Sequence, residues 1–330
     1  MTGALLTLPS VDPKVDPGQP TLSSDMPGSP DPGTVDTFAE VNSHLWRLFA
    51  LARSKSHILP LARNQIGALS TELRRSHGPT VRQHLCALMG DLLQLTGEIF
   101  FDGDRYTDAA HCYTLAATAG REAGAFDLWS CAMVRHAFVE IYERRFGKAV
   151  PMLELATALA RRGDPMLSTR HWVAGVQAEA FAGLGNVAAC ERALEGAERV
   201  RGLAGSVHNG GWLRFGASRL AEDRGRCYVM LGRFNEAESV LAEVLPGVRT
   251  ERRRASVLTD LAAIGVYRRD PEQVVARASD ALAIARRSGS GVVSRTVGGL
   301  RPHLAPLLAD PRIQRLDDQI AALRVEGPGR

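Results

Sequence analysis

The chain has 330 residues, of which 45% are hydrophobic, 23% charged and 6% aromatic, and its net charge is +4. That length holds one large domain or two ordinary ones around a sizeable core, and the mild positive charge lacks the clustering of a dedicated nucleic-acid binder. No apolar run reaches the roughly 18 residues of a membrane span, and five scattered cysteines (Cys86, Cys112, Cys131, Cys190 and Cys227), none in a CxxC, argue against a disulfide framework or zinc knuckle.

Residues 1–35 contain seven of the 17 prolines, interspersed with Ser, Asp and Gly. Such a segment buries too little apolar surface to offset its ordering entropy, so it is expected to be a disordered, linker-like stretch. No signal-peptide pattern stands at the N-terminus, and the cysteines read as buried thiols of a cytoplasmic protein. From Asp36 to about residue 325 the pattern is helical, with apolar residues at three- and four-residue steps, as in Val41, Leu45, Leu48, Phe49 and Ala52. Residues 326–330 are expected to form a short disordered tail. Arg pairs precede Gly78, Gly163 and Gly289, which reads as basic last turns followed by glycines in the left-handed cap position. The stops divide the chain into roughly a dozen helices.

Self-comparison gives the decisive signal. Gly225 to Val244 has the skeleton G-x-x-Y-x-x-x-G-x-F-x-x-A-x-x-x-L-x-x-V, the tetratricopeptide-repeat pattern. Gly225 lets a second helix approach the first, Gly232 makes the turn, Phe234 plugs the hinge and Ala237 lets the helices touch. Weaker copies place equivalent small residues at Ala109, Ala149, Cys190 and Val274, with Arg144 replacing one turn glycine and one extra residue expected in the Gly103–Tyr106 turn. The Gly-rich stretch Gly202–Gly211 is an insertion. These readings predict an all-α, tetratricopeptide-like helical-hairpin solenoid wound as a right-handed superhelix.

Catalytic chemistry is not legible. Walker A, nucleophile-elbow, HExxH and Rossmann patterns are missing, so neither an enzyme nor a cofactor is expected. Asp102-Gly103-Asp104 lacks the calcium-loop Glu and coincides with a repeat turn. His111-Cys112 has no second ligand pair at metal spacing, and His136 and His171 are read as packing or surface groups. The run Arg249–Arg254 is read as the solvated first turn of a helix, because no aromatics interleave it.

In such a superhelix the first helix of each hairpin lines the concave face, the usual binding surface. Projecting the repeat register inward selects Phe138, Trp172, Glu179, Arg219, Glu222, Arg226 and Thr259. That mixed surface suits an extended or helical peptide, with Arg219 and Arg226 clasping a carboxylate and Trp172 as apolar anchor. The competing arrangement is internal pairing of Glu222 with Arg219 or Arg226 at helical spacing.

The stretch from about Leu45 to Leu323 resembles the C-terminal sensor half of actinobacterial transcriptional regulators of the Xre type. The residues behind the resemblance are Phe101-Asp102-Gly103-Asp104-Arg105, Ala116–Gly124, Leu231–Glu238 and Ala309–Asp317. It implies a peptide- or ligand-sensing repeat domain in transcriptional regulation. The helix-turn-helix of that family is not found, and residues 1–35 look like the linker that follows one, so the expectation is either a stand-alone regulator or a DNA-binding domain upstream of Met1. No direct nucleic-acid contact is expected from this chain. A general protein-interaction adaptor is the alternative function. Residues 311–324 are expected to cap the solenoid, with Arg315, Asp317 and Gln319 outward, and homodimerisation fits a weak cap.

Overall fold

The computed structural model describes residues 32–203, 211–213 and 215–323. Most of the proline-rich segment, most of the Gly202–Gly211 insertion and the tail 326–330 lie outside the described residues. Within them every regular element is a helix. Two lead-in helices, α1 (Pro32–Leu51) and α2 (Leu59–Leu73), precede five hairpins. These are α3 (Pro79–Asp102) with α4 (Tyr106–Glu122), α5 (Phe126–Tyr142) with α6 (Phe146–Ala160), and α7 (Thr169–Gly183) with α8 (Val187–Glu198). Then come α9 (Ala217–Met230) with α10 (Phe234–Val244) and α11 (Glu251–Tyr267) with α12 (Pro271–Ser288). Helices α13 (Gly291–Gly298), α14 (Arg301–Leu304) and α15 (Pro311–Ala322) end the fold. It is an all-α helical-hairpin solenoid. Helix α1 begins at Pro32, inside the segment read as linker, where proline's fixed φ suits a first helical turn.

The hairpin turns share one geometry. Asp104, Arg144, Gly185, Gly232 and Arg269 all adopt left-handed φ, between 55° and 74°. The next residue's N–H bonds the carbonyl five positions back: Arg105 to Phe100, Arg145 to Glu140, Asn186 to Phe181, Arg233 to Tyr228 and Asp270 to Gly265. This is the Schellman closure. Each left-handed residue precedes the small residue of its second helix by five positions, so the first turn has no extra residue. Asp104, not Gly103, takes the left-handed position there. Three of the five sites tolerate a side chain because the closure holds the backbone whatever the residue.

The small residues Ala109, Ala149, Cys190, Ala237 and Val274 are all fully buried. Gly225 has the predicted role: a Cβ there would sit 2.4 Å from Leu241 Cδ2. The cap reading holds at Gly289 (φ 61°). It does not hold at Gly78, which is extended and precedes α3, nor at Gly163, which has no positive φ and instead closes on the Asp127 carboxylate.

The first helices α3, α5, α7, α9 and α11 pack side by side, and α13 returns to pack against α3. The solenoid therefore closes on itself. At the seam Ser290 Oγ donates to Asp102 Oδ1 (2.8 Å), and Arg295 makes a two-pronged bond to Asp104 (2.6 and 2.8 Å). Val292 joins the apolar cluster of Phe101, Tyr106, Tyr113 and Val139. Helix α15 caps the end. Ile313, Leu316 and Ile320 point inward, Arg315 and Gln319 are exposed, and half-buried Asp317 pairs with Arg301.

Candidate functional site

The ring of first helices encloses a lumen lined by charge. Arg135 from α5, Arg219 and Arg226 from α9, and Arg252 and Arg253 from α11 face Glu98 from α3, Glu179 from α7, Glu222 and Asp223 from α9, and Asp260 from α11. Arg219, Arg226, Arg252 and Arg253 keep 26–30% side-chain exposure, so water reaches the lumen. Glu179, Glu222 and Asp223 are buried.

The ion pairs run between helices. Arg226 Nε lies 2.7 Å from Glu179 Oε1, and its Nη1 donates to Ser256 Oγ (3.0 Å) and lies 3.9 Å from Asp260 Oδ2. Glu222 accepts two bonds from Arg253, one from Nε at 2.7 Å. Arg219 pairs with Asp223 at 2.9 Å one turn along α9. Across the lumen, Glu98 serves Arg135 (3.4 Å), Arg252 (3.5 Å) and the Tyr113 hydroxyl (3.2 Å). Arg135 also donates to Gln94 Oε1 (2.9 Å), and its guanidinium lies over the rings of Trp172 (4.8 Å) and Trp46 (5.7 Å).

Several of these groups are incompletely satisfied. Asp223 Oδ2 has no hydrogen-bond partner, and Glu179 Oε1, Arg226 Nε and Arg135 Nε meet charges without hydrogen-bond alignment. Burial lifts the Asp223 carboxyl to about 6, with Glu179 and Glu222 adding repulsion against the pull of Arg219 and Arg253. Burial likewise lifts Asp260 to about 6, Arg226 pulling it down and Glu179 pushing it up. Ionised carboxylates in an enclosed space are costly without full pairing.

The structure sorts the predicted groove residues. Glu179, Arg219, Glu222 and Arg226 line the lumen together. Glu222 pairs with Arg253 of the next hairpin, rather than with Arg219 or Arg226 as helical spacing suggested, and Arg219 and Arg226 hold the chain's own carboxylates. Trp172 is 6% exposed and covered by Arg135, so it is not an open anchor. Phe138 is half-buried, its ring 6.4 Å from those of Trp172 and Tyr142. Thr259 is buried with its hydroxyl bonded to the Ala255 carbonyl, and the lumen position on α11 belongs to Asp260.

Arg135, Glu98, Asp223, Arg252 and Asp260 were not selected from sequence. The arginine run 249–254 held one signal. It is not a solvated first turn, because Arg252 and Arg253 point inward to Glu98 and Glu222. His136 and His171 are both held below their usual range by burial, and His171 Nδ1 lies 3.1 Å from the Gly196 carbonyl. Cys112 is buried beside exposed His111, and all five cysteines are buried free thiols. Among the described residues no group of three or more His, Cys, Asp or Glu is placed to hold a metal ion, and no helix is long and apolar enough to cross a membrane.

Helix α1 lies at the mouth of the lumen. Trp46 Nε1 donates to Asp91 Oδ1 (2.6 Å), and Asn42 Nδ2 donates to Asp91 Oδ2 (3.0 Å) and the Leu88 carbonyl (2.9 Å). A cleft between α1 and the start of α9 is lined by Trp46, Arg47, Ser218, Arg219 and Arg253, and so opens onto the charged lining.

No family model and no curated protein matches the sequence. Among solved structures, the chain is similar to a Rap protein complexed with competence and sporulation factor, at 10% identity over 88% of this chain and 98% of that chain, with a TM-score of 0.47. That likeness is too distant to assign this chain a ligand or a role.

Proposed function

We propose that this chain is a non-enzymatic, tetratricopeptide-like sensor whose lumen takes a peptide or a segment of a protein, and that it acts in transcriptional regulation. One observation carries the reading of the lumen. Ten charged side chains converge there on partly satisfied pairs, although each ion withdrawn from water costs several kcal/mol. A solenoid serving only as a scaffold would be more stable with apolar residues inside. Charges kept at such a cost fit a surface that completes its pairing on a ligand.

The transcriptional role rests on the resemblance to Xre-type sensor regions. It is tested by profiling transcripts in a strain lacking the chain, complemented with the wild type or with Glu179→Gln/Arg226→Met. A defined set of transcripts responds to the loss, and the variant fails to restore it. An unchanged profile overturns the regulatory role and leaves the protein-interaction adaptor, acting through the same lumen in the cytoplasm.

A further inference from the structure

Two of the five buried thiols face each other. Cys190, on α8, takes the small-residue position that Ala109, Ala149, Ala237 and Val274 fill in the other hairpins. Cys227 lies on α9, which packs against α8. Both side chains are fully buried in one apolar cluster with Leu194 and Leu220. The Cys227 thiol donates a hydrogen bond to the Cys190 sulfur. Cys86 turns instead to Glu122 and Cys131 to Thr169. Alanine meets the packing demand at the Cys190 position in three of the other hairpins, so packing alone does not call for a thiol there. Cys190 also lies just under the surface: its neighbour Glu191 is exposed and accepts from Arg233 Nη1 (2.8 Å) at the turn between α9 and α10. The bond from Cys227 holds the Cys190 thiol below its usual range against the effect of burial, and Arg233 helps. Burial lifts Cys86, Cys112 and Cys131 instead, the last two to about 12. Thiolate is the reactive form, so Cys190 is the cysteine set apart for oxidation.

We propose that Cys190 and Cys227 form a reversible redox site, oxidised by hydrogen peroxide to a disulfide that staples α8 to α9. Peroxide reaches the pair by local opening of these helices. It oxidises the Cys190 thiol to a sulfenic acid and leaves as one water. The Cys227 sulfur then attacks that sulfur, and the hydroxyl departs with the Cys227 proton as a second water. Two thiols have given up two electrons and two protons, the peroxide has taken them, and one S–S bond has formed. The sulfurs close from hydrogen-bond distance to about 2.05 Å. A dithiol reverses the step by exchange. Cys227 follows Arg226, so the staple ties the helix that carries Arg219, Glu222 and Arg226 to the hairpin before it. The site stands whatever the lumen binds.

The test treats the reduced, folded full chain with graded hydrogen peroxide, then denatures it, blocks the remaining thiols with N-ethylmaleimide and digests it with trypsin. Cleavage after arginine and lysine leaves the five cysteines on five different peptides, with the pair on residues 171–192 and 227–233. Mass spectrometry finds those two peptides joined, two hydrogens lighter than their sum, at the lowest peroxide concentration that oxidises any cysteine. The joined species exceeds every other cysteine pairing at least tenfold, and dithiothreitol removes it. In Cys227→Ser the reaction stops at the sulfenic acid, which dimedone traps on the 171–192 peptide. The wild-type measurement needs no variant to fold. Five thiols all still blocked by maleimide after peroxide, earlier oxidation of Cys86, Cys112 or Cys131, or disulfides spread among pairings without preference would each overturn the assignment.

Discussion

Asp223 and Asp260 make stability depend on pH in a direction opposite to that of ordinary paired carboxylates. Both carboxyls are lifted from 3.8 to about 6 in the folded protein, chiefly by burial. A folded-state pKa above the unfolded value means that the folded chain binds more protons between pH 4 and 6. Stability from these two groups therefore rises as pH falls through that window. Ionising one such group costs about 3 kcal/mol at pH 7.5 and about half of that at pH 5. Replacing either by Asn removes its titration. The stability difference between Asn variant and wild type should then move by roughly 1–2 kcal/mol per site between the two pH values, relatively favouring the variant at pH 7.5.

The comparison has to be made between variant and wild type because His136 and His171 oppose the trend. Their pKa values are lowered by burial, so their contribution is lost as pH falls through the unfolded value near 6.5. Depressed carboxyls such as Asp317, bonded to Arg301, lose their contribution only at lower pH. Urea unfolding of wild type, Asp223→Asn and Asp260→Asn at pH 5.0 and 7.5 gives the three differences. A variant-minus-wild-type difference unchanged with pH, or one moving the other way, refutes the reasoning that the lumen holds its acids under strain.

Three further outcomes follow from the fold. Gly225→Leu drives a side chain into Leu241, whose Cδ2 lies 2.4 Å from the Cβ position, and should cost on the order of 2 kcal/mol or more in urea unfolding. Arg269→Gly relieves a left-handed residue with φ of 55° and should stabilise by about 0.5–1 kcal/mol, the gain being reduced by glycine's greater freedom when unfolded. Ser290→Ala removes both the bond to Asp102 and the cap accepted from the Val293 N–H. It should cost roughly 1–2 kcal/mol and speed hydrogen exchange in α13 before α5 or α7 responds.

The hairpins were legible because each leaves a local signature. Gly225, Gly232, Phe234 and Ala237 each meet a steric demand within one hairpin, and such demands repeat along the chain. The ring closure was not legible, since Ser290 and Asp102 are 188 residues apart and neither belongs to a periodic pattern. The stretch Phe101–Arg105 lies at that seam, and its acidic residues are the partners of Ser290 and Arg295. In the lumen, repeat register selected Glu179, Glu222 and Arg226, yet missed Asp260 by one position in choosing Thr259. A one-residue error turns a helix by about 100° and exchanges a lumen acid for a buried hydroxyl. Arg252 and Arg253 were hidden for another reason. A basic first turn looks the same in sequence whether water or carboxylates of other helices receive it.

Hydrogen–deuterium exchange of the full chain, with and without a pool of random-sequence peptides, tests most directly the claim that the lumen is the ligand site. The account predicts slowed exchange on the lumen-lining helices α7, α9 and α11, with α8 and α10 unchanged. Protection confined to α8 and α10, or no protection anywhere, would contradict it.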